Sequence, residues 1–148
     1  MEMRSTTDTV PELESDIRLT LPARPENVAV VRHVLGALSE AIGLPRGVTE
    51  DVRLAVTEAC TNVVRHAYAV PGGTIDVVVR HTCGELEVIV ADTGRGEGPS
   101  PDTTGPGLGL PLIAALSDSL EIERSADKGS RLTMWFRRRR ATPALGFA

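Results

Sequence analysis

Aromatic residues make up only 3% of this chain, so any core built from it must be aliphatic. Cysteine is nearly as scarce. Cys60 and Cys83 form no CxxC pair, which argues against a metal site or disulfide framework and fits a reducing compartment. No apolar run approaches the roughly 20 residues of a membrane helix, and the opening "MEMRSTTDTVPELESD" has no apolar signal region. Positive charge is not in excess either: a net charge of −4 argues against direct nucleic-acid binding. What is present is 148 residues, 41% of them apolar, enough for one domain with its own core. The expectation is a soluble, cytoplasmic protein with no membrane contact. The one charge block, Arg137 to Arg140, reads either as a solvated chain end or as a contact for an acidic partner.

Hydrophobic spacing divides the chain into elements. Residues 1–15 are polar and expected to fray, and residues 141–148 form a second flexible tail around a domain at 16–140. "DIRLTLP" alternates Ile17, Leu19 and Leu21 and predicts a strand. Val28, Val31, Leu35 and Leu38 fall at helical spacing, with Gly43 and Pro45 as the stop. A longer helix is predicted from Val48 to Val70, capped by Thr49 and ended by Pro71-Gly72-Gly73. "TIDVVVRH" and "LEVIVAD" alternate as two strands of a hairpin. "LPLIAALSDSL" reads as a helix with Pro111 in its first turn. "LEIERS" and "SRLTMWFRR" make a second hairpin around "ADKG". The order β-α-α-β-β-α-β-β lacks strand–helix alternation. It predicts an α+β sandwich: a mixed, mostly antiparallel sheet covered on one face by helices.

Between the second hairpin strand and the third helix lies "ADTGRGEGPSPDTTGPGLGLP", rich in glycine and proline. It lacks the GK[ST] of a P-loop and the third glycine of G-x-G-x-x-G. Even so, Gly105, Gly107 and Gly109 lead into a helix start, where free N–H groups and the dipole favour an anion. A slack loop before an ordinary helix is the plainer alternative. Asp92 ends an apolar strand, where its carboxylate can either cap a turn or accept a hydrogen bond from an exocyclic amine such as that of adenine. On the long helix Glu58, Asn62 and His66 follow one another at i, i+4 and i+8 beside the apolar face of Val52, Ala55, Val56, Ala59 and Val63. Such a stripe is either a solvated flank or one wall of a pocket. In a pocket the amide could ligate a hard cation and the acid could deprotonate a nucleophile.

Four motifs in this order resemble those of the GHKL ATPase superfamily over roughly residues 15 to 137. "EACTNVVRHAY" resembles its first box, "DTGRG" the second, "GPGLGL" the box that closes the nucleotide lid, and "KGSRLTM" the last. The small size and "EACTNVVRHAY" most resemble the bacterial anti-sigma factor serine kinases. The resemblance implies the Bergerat sandwich fold, ATP and Mg²⁺ as cofactors, and a glycine loop that acts as a lid. It makes Glu58 the catalytic base and Asn62 the Mg²⁺ ligand, with His66 beside them. Asp92 would bind the adenine amine, supported by Ser130 directly or through water, and Gly94 and Gly96 would shape the turn after it. Gly105, Gly107, Leu108 and Gly109 would cradle phosphate. The implied partners are a sigma factor and an anti-anti-sigma protein of the STAS type, with the chain as a homodimer. The implied activity is phosphorylation of a serine on that antagonist. An ATP-dependent binding module without turnover is the alternative, and a detached histidine-kinase domain is disfavoured because no helical acceptor segment precedes it. This chain departs from the family pattern at Glu97, where an apolar residue is common, and at Ser130, where threonine is usual.

Overall fold

A computed structural model of the chain describes residues 16–82, 84–94 and 109–138. The tails expected at 1–15 and 141–148 therefore lie outside the described residues. Strand β1 (Asp16–Pro22) is followed by helices α1 (Pro25–Ala41) and α2 (Arg46–Asn62). A wider π-helical turn, Val63–Ala67, continues α2. Strands β2 (Thr74–Thr82) and β3 (Glu85–Asp92), helix α3 (Gly109–Leu116), and strands β4 (Ser119–Ser125) and β5 (Gly129–Arg137) complete the order.

The five strands form one sheet in the order β1-β2-β3-β5-β4. All four pairings are antiparallel, so the mixed sheet expected from the sequence is antiparallel throughout its described strands. Alternation decides which side faces the helices. Ile75, Val77 and Val79 of β2, Leu86, Val88 and Val90 of β3, and Met134 and Phe136 of β5 are buried in one cluster with α1 and α2. The helices supply Val31, Leu35, Val52, Ala55, Val56 and Ala59 at 3.6-residue spacing. Each fully buried aliphatic side chain is worth about 1.5–3 kcal/mol relative to exposure, which makes this aliphatic cluster the main force holding helices to sheet. On the far side of the sheet, Val78 and Ile89 are register partners and also buried, with Arg80 and Glu87 paired at 3.5 Å.

Helix α1 carries Gly36 against Arg53 of α2. A Cβ there would sit 2.2 Å from Arg53 Nε, so the bare backbone gives the guanidinium a path across α1. Arg53 reaches Glu40 at 3.5 Å and Glu50 at 3.2 Å.

Three boundaries differ from the sequence-based expectation, each for a local reason. Helix α2 starts at Arg46 with Pro45 at its N-cap, and Thr49 N–H already donates to Pro45 O. Thr49 is thus buried within the first turns, its hydroxyl unpartnered, and caps nothing. The same helix leaves α geometry at Asn62 rather than running to Val70, and Tyr68 is extended. Helix α3 stops at Leu116, because Asp118 N–H donates to Trp135 O and draws the chain into the sheet from Ser119. Gly43, by contrast, ends the first helix as expected, with φ 82° and its N–H on Glu40 O. Of the arginine block, Arg137 closes β5 with an exposed side chain and Arg138 N–H donates to Gly84 O, while Arg139 and Arg140 lie outside the described residues. No helix among the described residues is long and apolar enough to cross a membrane.

Candidate functional site

Between the helical layer and the C-terminal end of β3 is a cavity with mostly aliphatic walls. Ala59, Val63 and Ala67 form its helical side, and Val90, Ile122 and Leu132 its sheet side. Leu110 of α3 closes one edge. Polar groups enter at few points: Asn62 from α2, Asp92 and Ser130 from the sheet, and the cations Arg124 and Arg131 at the rim.

Asp92 is the best-anchored of these. It lies opposite Ser130 in the β3–β5 register and is 4% exposed. Its Oδ1 accepts the N–H of Gly94 at 2.9 Å and that of Ser130 at 3.3 Å. Ser130 Oγ donates to Oδ2 at 2.5 Å. A carboxylate has about four lone-pair sites, so three donors fix its orientation and leave capacity for one more. Ser130 therefore meets Asp92 directly.

Two glycines make this geometry possible. A Cβ on Gly94 would lie 1.9 Å from Ala67 O, so the turn after Asp92 rests against the end of the π segment. Gly129 has φ 88°, and a Cβ there would lie 2.0 Å from Asp92 O. Gly94 is one of the expected site residues. Gly129 is not: the sequence marks it only as the end of a hairpin turn, and its closeness to Asp92 arises from strand register.

On the helical wall Asn62 faces the cavity and Glu58 stands one turn earlier. Glu58 Oε2 accepts the N–H of Gly109, the first residue of α3, at 3.2 Å. That N–H is one of the unpaired donors of a helix start, so Glu58 in this state lies where an anion is favoured. His66 is half-buried but does not line the cavity. It belongs to the wider π turn, which takes it off the register that 3.6 residues per turn would give. Gly96, Gly105, Gly107, Leu108 and Glu97 lie outside the described residues.

Sequence reasoning passed over Arg124 and Tyr68. Arg124 shares the inner face of the sheet with Ser130, its register partner, and lines the cavity. In sequence it is one arginine in an alternating strand, without a motif. Tyr68 hydrogen-bonds to both strand ends flanking the site. "EACTNVVRHAY" contains it, yet only the long-range contact gives it significance.

Residues 21–136 match the family described as the histidine kinase-like ATPase domain. The chain belongs to that family. Among its relatives, serine-protein kinase RsbW of Halalkalibacterium halodurans is 36% identical over 133 residues, which is 80% of each chain. Serine-protein kinase RsbW of Bacillus pumilus is 34% identical over 142 residues, covering 84% of this chain and 88% of that protein. The crystal structure of the RsbU and RsbW domains of Rv1364c from Mycobacterium tuberculosis superposes with a TM-score of 0.68 at 26% identity. That match covers 83% of this chain but only 32% of the mycobacterial one, so it concerns one part of a longer protein. A histidine kinase domain from Erythrobacter litoralis shares the fold, with a TM-score of 0.54 at 19% identity. The superfamily and sandwich fold expected from the four motifs are those of the histidine kinase-like ATPase family.

Among the described residues no cluster of three or more His, Cys, Asp or Glu could hold a metal ion alone. The Asn62 amide on the cavity wall could supply one oxygen ligand to a hard cation whose other ligands are water and phosphate oxygens. Cys60 takes no part: burial pushes its thiol up to about 12, and it sits in the core as a small apolar group.

Proposed function

We propose that this chain is an ATP-dependent serine-protein kinase that also acts as an anti-sigma factor. It would hold a sigma factor and phosphorylate a serine on an anti-anti-sigma antagonist of the STAS type. The observation that carries this reading is the buried Asp92 carboxylate, held by Ser130 and Gly94 at the end of an aliphatic slot whose helical wall bears Asn62 and Glu58. The naming of its relatives as serine-protein kinases supports the acceptor class. A cytoplasmic homodimer without direct nucleic-acid contact is part of the proposal.

ATP, when bound, supplies the γ-phosphoryl group and Mg²⁺ offsets its charge. The remaining work belongs to the protein. Asp92 accepts a hydrogen bond from the adenine amine with its remaining lone pair, and the aliphatic walls cover the ring. Asn62 offers its amide oxygen to the metal. Gly105, Gly107, Leu108 and Gly109 would offer backbone N–H groups to phosphate, and Gly96 would belong to the turn after Asp92. Glu58 receives the serine proton as the serine Oγ–P bond forms and the bond to the ADP leaving oxygen breaks. Occupation of the α3 N-terminus by phosphate would replace Glu58 as the acceptor of Gly109 N–H and free its carboxylate for that proton. His66, which does not line the cavity, is retained as an expected contributor to the nucleotide site.

Two measurements on one preparation test the reading. Transfer of labelled phosphate from ATP to a serine of a candidate antagonist tests the kinase. Capture of sigma factors from the native cell, with and without ATP, tests the regulator. Sigma capture without transfer to any antagonist would replace the kinase by an ATP-dependent binding module. The absence of both transfer and sigma capture would overturn the proposal.

A further inference from the structure

Tyr68 lies at the junction of three elements. The π segment ends at Ala67, and Tyr68 follows in extended conformation, with φ −121° and ψ 132°. Its hydroxyl donates to Thr74 O, at the first residue of β2, at 2.7 Å. The same oxygen accepts the N–H of Thr93 at 3.1 Å. Thr93 is the first residue past β3, and the ladders to β2 and β5 end at Ala91 and Asp92. Its N–H therefore has no strand partner, and the phenol supplies one.

The ring is seated as closely as the hydroxyl is bonded. A Cβ on Gly73 would lie 2.2 Å from the Tyr68 ring atoms Cε1 and Cζ. On the other side of Thr93, Gly94 rests against Ala67 O. The peptide that follows Asp92 is thus gripped twice, by the Tyr68 hydroxyl at Thr93 and by the Ala67 backbone at Gly94. Gly94 N–H is one of the three donors that orient the Asp92 carboxylate. A shift of that peptide would turn the carboxylate in its socket.

We infer that Tyr68 is a positioning residue for base recognition. It touches no nucleotide itself. It fixes the Thr93–Gly94 backbone against the helix end, so that the remaining lone pair of Asp92 keeps one direction. The inference rests on the reading that Asp92 receives the adenine amine. Preorganised donors and acceptors matter most where the required geometry is narrow, and a displaced carboxylate loses the base-specific bond while leaving phosphate contacts intact.

The test is Tyr68→Phe, which keeps the ring over Gly73 and removes only the hydroxyl. Affinities for Mg²⁺-ATP and Mg²⁺-GTP are measured by calorimetry on native and variant proteins, with melting curves alongside. Loss of one hydrogen-bonded brace should weaken ATP binding by about three- to tenfold, leave GTP binding within about twofold, and leave kcat at saturating ATP unchanged. A purely structural role would lower the melting temperature and weaken both nucleotides in parallel, which overturns the inference. A native protein that does not distinguish ATP from GTP overturns the reading of Asp92, and the role of Tyr68 with it. A native preference for ATP undiminished in the variant overturns the role of Tyr68 alone.

Discussion

Replacing Asp92 by asparagine isolates the chemistry of the site from its shape. The two side chains are nearly isosteric, and the structure indicates how the amide would sit. Oδ1 keeps the N–H groups of Gly94 and Ser130, because both are donors and demand an oxygen. The NH₂ group then takes the place of Oδ2 and donates to Ser130 Oγ, a hydroxyl able to accept as well as donate. The internal hydrogen bonds survive, and the fold should too. What changes is the direction facing the nucleobase, which turns from acceptor to donor. The adenine amine loses a charged acceptor worth about 1.5–3 kcal/mol, or roughly 10- to 150-fold in Kd. The guanine carbonyl, which meets the carboxylate as a second acceptor, now meets a donor. The Asp92→Asn protein should therefore bind ATP more weakly and GTP equally or more tightly. Titration calorimetry with both nucleotides in Mg²⁺ reads the ratio, and melting curves confirm that the fold persists. A parallel loss for both nucleotides, or an unchanged ATP affinity, would show that Asp92 does not read the base.

Glu58→Gln keeps size and polarity but removes the proton acceptor, so ATP should still bind while phosphoryl transfer to the antagonist falls by about 10²–10⁴-fold. Gly129→Ala places a methyl 2.0 Å from Asp92 O at a residue with φ 88°; a loss of about 1–3 kcal/mol is expected, read as a lowered melting temperature and weakened ATP binding together. The raised thiol pKa of Cys60 makes stability pH-dependent. The folded chain holds that proton up to about 12, whereas an exposed thiol releases it above 9.0. This contribution is complete below pH 9 and is lost as pH rises towards 12, by up to about 1.4 kcal/mol per unit. Denaturant unfolding of native and Cys60→Ala proteins between pH 8 and 10.5 should show a shallower decline in the variant, and equal slopes would refute the assignment.

Much of the site could be read from sequence because its chemistry is local. Asp92 ends an alternating strand, and Glu58 and Asn62 are one helical turn apart. Those patterns depend on residues within a few positions of each other, and the structure places Asp92 and Asn62 on one cavity with Glu58 a turn away. The i+8 placement of His66 extends the same helical period, and the π turn at Val63–Ala67 interrupts that period. A widened turn depends on packing against distant backbone, here the contact of Ala67 with Gly94, and leaves no periodic trace. The expected Thr49 cap is absent for a related reason. Thr49 heads an apolar-periodic run as a cap should, but Pro45 had already begun the helix one turn earlier.

By itself the sequence determined the α+β class, the inward face of each core strand, the hairpin around Gly129, and the superfamily through four motifs in order. Alternation and helical spacing set those features, since burial of aliphatic side chains follows them directly. The tertiary structure alone decided that β5 lies between β3 and β4 and so brings Ser130 onto Asp92 across 38 positions of sequence. It alone decided that Gly94 and Gly129 must be bare for the backbone to close around that carboxylate, and that one tyrosine hydroxyl joins the helix end to two strands. These are contacts between segments far apart in the chain. No local preference encodes them, because each exists only once strand order and register have brought its partners together.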